Sequence, residues 1–355
     1  MMSSLKYEMS TCPPLTEMKK KIHAQNKAIV RANKQGKKAP TWEGPTKGTV
    51  RQYRIHAVRY GAWCAKTYGC RHFEDCRSHI QNYADWMHAQ GKSASTIHTY
   101  LAALCAIYDV PMSEITKPIR HIADNTRSRG IKFSDSRFDT QRECSPRLWD
   151  FACCVGIRRA EYAALRGSDL VYDESGYLCV LIRKGKGGKR QLQRIPLGCE
   201  QFIKQYFDGT ENKVFSHAEM DNKIDLPAMR HIAAWHIYEG YALRLKQDPT
   251  YRSRLENEVK ARWKHYNKRK WIPNKAQGIY HLRGKNSELA KACGIPTSFD
   301  RLAVLATSIF TLSHWRNDVT VGNYLIPGAI VDKEASDEND ASLTALPGRL
   351  LRPAQ

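Results

Sequence analysis

Residues 156–169 read GIRRAEYAALRGSD, in which a glycine and an isoleucine are followed by Arg158, Arg159 and, two residues later, Glu161. Arg158 and Glu161 are three residues apart, and side chains at this spacing are neighbours on a helix. We therefore expect the carboxylate of Glu161 to orient the guanidinium of Arg158. The apolar residues around them recur at helical spacing and predict a helix from Leu148 to Leu165.

A basic turn between two strand-forming runs comes next in the chain. Residues 178–183 read LCVLIR and are rich in strand formers, and residues 191–197 provide a returning strand. The turn between them reads KGKGGKR and carries Lys186. It lacks the spacing of glycines, lysine and hydroxyl residue that defines a phosphate-binding P-loop. The sequence therefore predicts a β-hairpin with Lys186 at its tip.

Two further motifs lie near the end of the chain. Residues 280–283 read YHLR, and we expect a helix on which Tyr280 and Arg283 share one face. Residues 312–325 read LSHWRNDVTVGNYL, in which Tyr324 follows His314 by ten residues and Trp315 by nine. Each motif alone is typical of an ordinary helix or hairpin, so the order of all four along the chain is the informative feature.

Together the four motifs resemble the tyrosine recombinase (phage integrase) family. Its members carry an arginine in a Gly-aliphatic-Arg-x-x-Glu helix, a lysine on a β-hairpin, a His-x-x-Arg helix, a His or Trp, and a final nucleophilic tyrosine. The resemblance covers residues 47 to about 325. Tyr280 departs from it, because most members have histidine there and the telomere resolvases have tyrosine. The penultimate position has two candidates: the Leu-Ser-His pattern favours His314, which is our prediction, and the nine-residue spacing favours Trp315.

The resemblance implies roles for these residues in breaking a phosphodiester bond. Arg158 and Arg283 would hold the two non-bridging oxygens of the scissile phosphate with bidentate forks, which a lysine cannot form. Lys186 would protonate the leaving 5′-oxygen, and Tyr324 would attack the phosphorus. The product is a covalent 3′-phosphotyrosine, which stores the energy of the broken bond for rejoining.

Tyr280 and His314 complete the expected catalytic set by hydrogen-bonding the scissile phosphate or the nucleophile. Rejoining from a phosphotyrosine needs no ATP, and we find no acidic cluster typical of a two-metal nuclease. The sequence therefore predicts no cofactor and no metal.

The charge of the chain indicates the class of partner. Its 355 residues include 57 Lys and Arg against 35 Asp and Glu, a formal net charge of +22. This excess points to a polyanion, and the resemblance makes that polyanion double-stranded DNA. It further implies a homo-tetramer on paired DNA sites, possible accessory DNA-bending proteins, and a mobile-element integrase in the cytoplasm of a prokaryotic host, associated with the nucleoid.

The expected fold class is mainly α with a small β-sheet (α+β), with a helical core-binding domain and a tyrosine-recombinase-like catalytic domain. Apolar residues at helical spacing predict three helices in residues 47–110, the last of them capped by Ser93 or Ser95. The expected segments are a loosely structured basic N-terminal arm (1–46), the helical DNA-binding domain (47–116), a linker (117–143), the catalytic domain (144–330) and an acidic C-terminal tail (331–355).

The cysteine pattern and the hydropathy of the chain exclude several other classes of protein. The eleven cysteines are scattered and form no Cys-x-x-Cys pair, so we expect reduced thiols rather than a disulfide framework or a zinc ribbon. No apolar run approaches the ~20 residues of a transmembrane helix, and the N-terminus lacks the apolar region of a secretory signal.

Three alternatives stay open at this stage. A telomere resolvase would use the same chemistry to form hairpin ends, as Tyr280 hints, although such proteins tend to be longer. A type IB topoisomerase would share the catalytic residues but relax any supercoiled DNA. A DNA-binding architectural protein without activity would explain the charge and the departure at Tyr280 but not the other motif residues.

Overall fold

The computed structural model describes residues 4–37, 40, 44–120, 143, 145–222, 224–266, 271–313 and 315–330. The chain divides into two compact units, residues 1–125 and 126–355. The predicted acidic tail, most of the linker and His314 lie outside the described residues. No helix in the described ranges combines the length and the apolarity needed to cross a membrane.

The N-terminal unit is helical throughout its described elements. Its α-helices are α1 (Ser4–Thr11), α2 (Pro13–Lys34), α3 (Lys47–Tyr68), α4 (Ile80–Ala89) and α5 (Ala94–Tyr108). Ser93 caps α5 as predicted, because its hydroxyl accepts a hydrogen bond from the amide of Thr96 at 3.3 Å. The predicted apolar faces of α3, α4 and α5 form the core of this unit, with Tyr60 and Leu101 fully buried.

The structure differs from the predicted loose arm over residues 1–46. Helices α1 and α2 extend through most of it and bury Leu5, Met9 and Leu15 in the core of the N-terminal unit. The lysines occupy the exposed side of α2, so the basic run is one face of an amphipathic helix. The sequence prediction missed the apolar residues because they are sparse among the charges.

The described residues of the C-terminal unit form α-helices, short 3-10 and π-helical turns, and five strands. The helices are α6 (Pro146–Cys154), α7 (Arg159–Tyr162), α8 (Glu200–Lys204), α9 (His217–Met220), α10 (Leu226–Gln247), α11 (Pro249–Tyr266), α12 (Lys285–Ala292), α13 (Arg301–Thr307) and α14 (Asn317–Thr320). The strands are β1 (Leu170–Tyr172), β2 (Leu178–Ile182), β3 (Gln191–Arg194), β4 (Ile279–His281) and β5 (Ser298–Asp300). The protein is therefore mainly helical with small antiparallel sheets, which is consistent with the α+β class.

Helix α10 runs between the two hydrophobic cores of this unit. Its first half packs with α6 and the β1–β2–β3 sheet, and its second half packs with α11, α13 and the residues around Tyr324. Most of its side chains are buried, including the polar pair Arg230 and His231. A helix that is buried on all sides has no solvated face for a charge, so Arg230 must find its partners inside the protein.

The β2–β3 hairpin is confirmed, with Ile182 opposite Gln191 at its end. The predicted continuous helix over 148–165 is wrong, because α6 ends at Cys154 and α7 begins only at Arg159. The backbone between these helices is held by buried side chains: the hydroxyl of Tyr162 donates to the carbonyl of Val155, and Arg230 donates to that of Gly156.

A buried ion-pair cluster joins this sheet to α11. Its members are Asp173, Arg194, Glu258 and Arg262, and we call it the Asp173 cluster. Asp173 accepts hydrogen bonds from Arg194 at 2.7 Å and from Arg262 at 2.9 Å, and its side chain is fully buried. The guanidinium of Arg194 also lies 3.6 Å from the ring centroid of Phe310. Charges this deeply buried are stable only while they stay paired.

Candidate active site

Arg158 is fixed by the predicted glutamate, although it lies before the helix rather than within it. It is the N-cap residue of α7 and has extended backbone angles. Glu161 accepts hydrogen bonds from the Arg158 backbone amide and from Nη1 of its guanidinium, both at 2.8 Å. The Glu161 side chain is 3% exposed and that of Arg158 is 28% exposed. A buried carboxylate therefore sets the direction of a guanidinium that still reaches the surface.

The lysine hairpin contacts this same carboxylate. A Cβ placed on Gly185 would lie 3.2 Å from Oε1 of Glu161, so the hairpin backbone passes close to the anchor of Arg158. Lys186 is the next residue, is exposed, and begins a short 3-10 turn that is closed by hydrogen bonds around Gly185. The structure thus places the first two sequence motifs beside each other.

Arg230 is a third cation at the same place, and the sequence analysis did not identify it. It is 3% exposed, and it donates to the backbone carbonyls of Gly156, through Nη1, and of Leu312, through Nη2 at 2.9 Å. It therefore ties the segment just before Arg158 to the first residue of the last motif. Burial lowers the pKa of Arg230, and the nearby Tyr324 opposes this effect. An arginine nonetheless keeps its charge in such a site.

Tyr324 lies against Arg230 and its neighbour in α10. The Arg230 guanidinium carbon is 5.5 Å from the centroid of the Tyr324 ring, and the His231 ring is edge-on to it at 5.4 Å. Tyr324 itself is half-buried, between the buried side chains of Val321 and Leu325 on a π-helical segment. This segment is one of the irregular helical turns that are frequent at functional sites. The phenol is thus held next to a fixed positive charge.

Two glycines bring other segments of the chain into close contact with the backbone of α10. A Cβ on Gly156 would lie 2.8 Å from Cα of Arg230, and a Cβ on Gly328 would overlap the carbonyl oxygen of His231. Only glycine fits at either position without a shift of the backbone. The Arg158 segment and the Tyr324 segment therefore both pack directly on the backbone of α10.

The predicted helix with Tyr280 and Arg283 on one face is wrong. Tyr280 lies on strand β4, opposite Phe299 of β5, and Arg283 is an exposed residue before α12. The Ile-Tyr-His run of β4 favours a strand once a partner strand is available, which local sequence cannot show. Burial raises the pKa of Tyr280. The arginine whose guanidinium lies against the Tyr324 ring is Arg230 rather than Arg283.

The penultimate motif lies beside the lysine hairpin. Trp315 is half-buried, has a left-handed backbone (φ 62°), and packs edge-on against Trp263 with ring centroids 5.7 Å apart. It lines one cavity together with hairpin residues that include Lys189 and Gln191. His314 lies outside the described residues, so the choice of His314 over Trp315 stays a prediction.

A signal for Arg230 was present in the sequence. Residues 226–237 read LPAMRHIAAWHI, an apolar helical run interrupted by Arg230, His231 and His236. A charge in such a run needs a buried partner, and that requirement marks Arg230 as a candidate for a structural or catalytic role. Comparison of the sequence with known proteins gave no matching family model and no matching curated protein.

Proposed function

We propose that this chain is a site-specific DNA recombinase that cuts and rejoins DNA through a 3′-phosphotyrosine on Tyr324. The observation that carries the proposal is the contact of a half-buried tyrosine with a fully enclosed arginine, in a site that also gathers Arg158 and the Lys186 hairpin. A phosphodiester under nucleophilic attack needs fixed positive charge of this kind, because its non-bridging oxygens gain negative charge.

In this mechanism the partly exposed Arg158 binds the scissile phosphate. Arg230, with Nη1 and Nη2 bound to the carbonyls of Gly156 and Leu312, holds its charge and its remaining N–H donors beside Tyr324. The Tyr324 oxygen attacks the phosphorus while its proton passes to a base. The sequence analysis gives His314 a hydrogen bond to the phosphate or the nucleophile, and in this proposal His314 accepts that proton. The bond to the 5′-oxygen breaks, and Lys186 donates the proton that this oxygen needs. Rejoining is the reverse reaction, with a 5′-hydroxyl as the nucleophile.

His231 acts as a positioning residue in this proposal. Its edge-on contact restricts rotation of the Tyr324 ring, so the phenol oxygen keeps one direction of approach. Arg230 also holds the carbonyls of Gly156 and Leu312, so the cation and the peptide segments on either side of it form one rigid unit.

The proposal extends to the DNA partner and the assembly that the resemblance implies. A formal net charge of +22 suits binding along a phosphate backbone, and a homo-tetramer would bring two double-stranded sites together for strand exchange. The telomere-resolvase alternative rests on Tyr280, which lies on strand β4 rather than on a helix shared with Arg283. It uses the same phosphotyrosine chemistry, and its products distinguish it, because they are hairpin ends rather than recombined duplexes.

The test is a covalent-trapping assay with a library of nicked duplexes in the absence of Mg²⁺. A nick near the cleavage site lets the 5′-hydroxyl fragment diffuse away, so the protein stays linked to DNA and survives denaturing electrophoresis. We expect an adduct from the unaltered protein, none from Tyr324→Phe, and a normal amount from the matched control Tyr280→Phe. Tight DNA binding without any adduct would favour the architectural alternative, and an adduct from Tyr324→Phe would show that another residue is the nucleophile.

A further inference from the structure

Three cysteines of the N-terminal unit converge on one point. Cys64 lies in the penultimate turn of α3, Cys70 follows the glycine that ends this helix, and Cys76 lies in the 3-10 helix Glu74–His79. Their sulfur atoms all lie within 4.8 Å of one another. In a tetrahedral zinc site with Zn–S bonds of about 2.3 Å, two sulfurs are about 3.8 Å apart. Small side-chain rotations would bring the three thiols to that spacing.

The three thiols share one small buried volume. Cys64 and Cys76 are fully buried, and Cys70 is 9% exposed. The thiol of Cys76 lies 3.7 Å from the carbonyl oxygen of His72, and that of Cys70 lies 3.8 Å from the carbonyl oxygen of Asp75. Three thiolates in so small a volume would repel one another, and a divalent cation removes that repulsion.

The polypeptide around the thiols is held in place by hydrogen bonds that do not involve sulfur. The carboxylate of Asp75 accepts from the amides of Arg71 and His72, at 3.1 and 2.9 Å. The carboxylate of Glu8 accepts from the amide of Phe73 at 2.8 Å. The turn that presents Cys70 and Cys76 is therefore ordered by its own contacts, which lowers the entropic cost of binding a metal ion.

The packing of residues 69–79 indicates what a metal ion would stabilise at the three cysteines. Between α3 and α4 the chain is irregular, and Cys70 and Cys76 are its only buried apolar residues among residues 69–79. Cys12 and Cys105 lie in the same core but are not part of the group. A metal ion would thus join the end of α3 to a segment that has little other core of its own.

We propose that Cys64, Cys70 and Cys76 bind one zinc ion as three thiolates, with water as the fourth ligand beside the partly exposed Cys70. Soft sulfur ligands in a tetrahedral arrangement select zinc among the common divalent ions. Binding releases the thiol protons to solvent and changes no oxidation state. The inference departs from the expectation of reduced thiols and no metal, and it does not depend on the proposed recombinase activity.

The test measures metal content and a cobalt spectrum on the full-length chain. We expect one zinc per chain by elemental analysis, and replacement by Co²⁺ should give the sulfur-to-metal absorption band of a site with three thiolates. Cys64→Ser and Cys76→Ser should each lower the zinc content at least fivefold. The matched control is Cys105→Ser, which removes a buried thiol of the same core and should keep the full content.

Other outcomes would overturn the proposal. An unaltered chain that takes up neither zinc nor cobalt shows that the cysteines are core residues only, and this measurement needs no variant to fold. A disulfide between any two of the three, found by mass spectrometry of the freshly isolated chain, assigns the cluster to redox chemistry. Zinc content that falls equally in Cys105→Ser places the metal elsewhere or reflects general unfolding.

Discussion

Replacing Arg230 with lysine keeps a positive charge beside Tyr324 but removes the fork that binds two carbonyls at once. The guanidinium donates through Nη1 to Gly156 and through Nη2 to Leu312, while a lysine has one nitrogen and a different reach. At least one buried carbonyl then loses its partner, at a cost of about 1–3 kcal/mol in the free energy of unfolding.

The catalytic loss is expected to exceed what this destabilisation explains. Removing one preorganised donor from a transition state slows the chemical step by roughly 10²–10³-fold. We therefore expect Arg230→Lys to form the covalent adduct ~10²-fold more slowly or worse under single-turnover conditions. Urea denaturation of the same preparation determines the folded fraction, so that the rate is expressed per folded molecule.

The matched control is Arg283→Lys, which changes the arginine that the sequence motif had favoured. Arg283 is exposed, so we expect its adduct rate and its stability to stay close to those of the unaltered protein. The reasoning is refuted if Arg230→Lys reacts at the normal rate while Arg283→Lys loses activity. That result would mean that the Arg283 segment moves to Tyr324 when DNA binds.

Three other predictions concern residues that stabilise the unit containing the proposed site. Asp173→Asn removes the anion of the Asp173 cluster and should lower the free energy of unfolding by about 3–5 kcal/mol, seen as a lower urea midpoint; an unchanged midpoint would contradict the pairing. Gly156→Ala pushes a methyl group against the backbone of Arg230 and should cost about 1–3 kcal/mol and also slow adduct formation, whereas Gly240→Ala, on α10 and with no atom within 4 Å of its Cβ, should leave the rate unchanged. The Ser168 hydroxyl and the guanidinium groups of Arg166 and Arg183 lower the pKa of Glu211 to about 2. The ion pairs of Glu211 therefore stabilise the folded state at pH values above the ordinary glutamate pKa. The stability difference between Glu211→Gln and the unaltered chain should therefore shrink as the pH falls from about 5 towards 2, and a constant difference would contradict this reading.

The sequence could predict features whose cause is local. Ile97, Leu101 and Leu104 recur at helical spacing and are buried, and Ser93 caps their helix. The lysine hairpin follows from two strand-forming runs around a glycine-rich turn. The pairing of Arg158 with its glutamate needed only a three-residue spacing.

Features that depend on distant partners could not be predicted in this way. Arg230 is informative only because Gly156 and Leu312, far away in the chain, present carbonyls to it. Strand β4 exists because Phe299 lies opposite Tyr280, and a four-residue motif does not contain that information. The cysteines of the proposed zinc site match no familiar spacing, and a turn after Gly69 is what brings them together.

The two glycine contacts on α10 have a consequence for how this protein can vary. Gly156 and Gly328 bring the Arg158 segment and the Tyr324 segment onto the same two turns of one helix. Helices α11 and α13 pack on that helix as well, so the chain between the two glycines returns to the same support. Change at exposed side chains leaves this arrangement intact, whereas any side chain at either glycine would move Arg158 or Tyr324 away from the helix that both segments share.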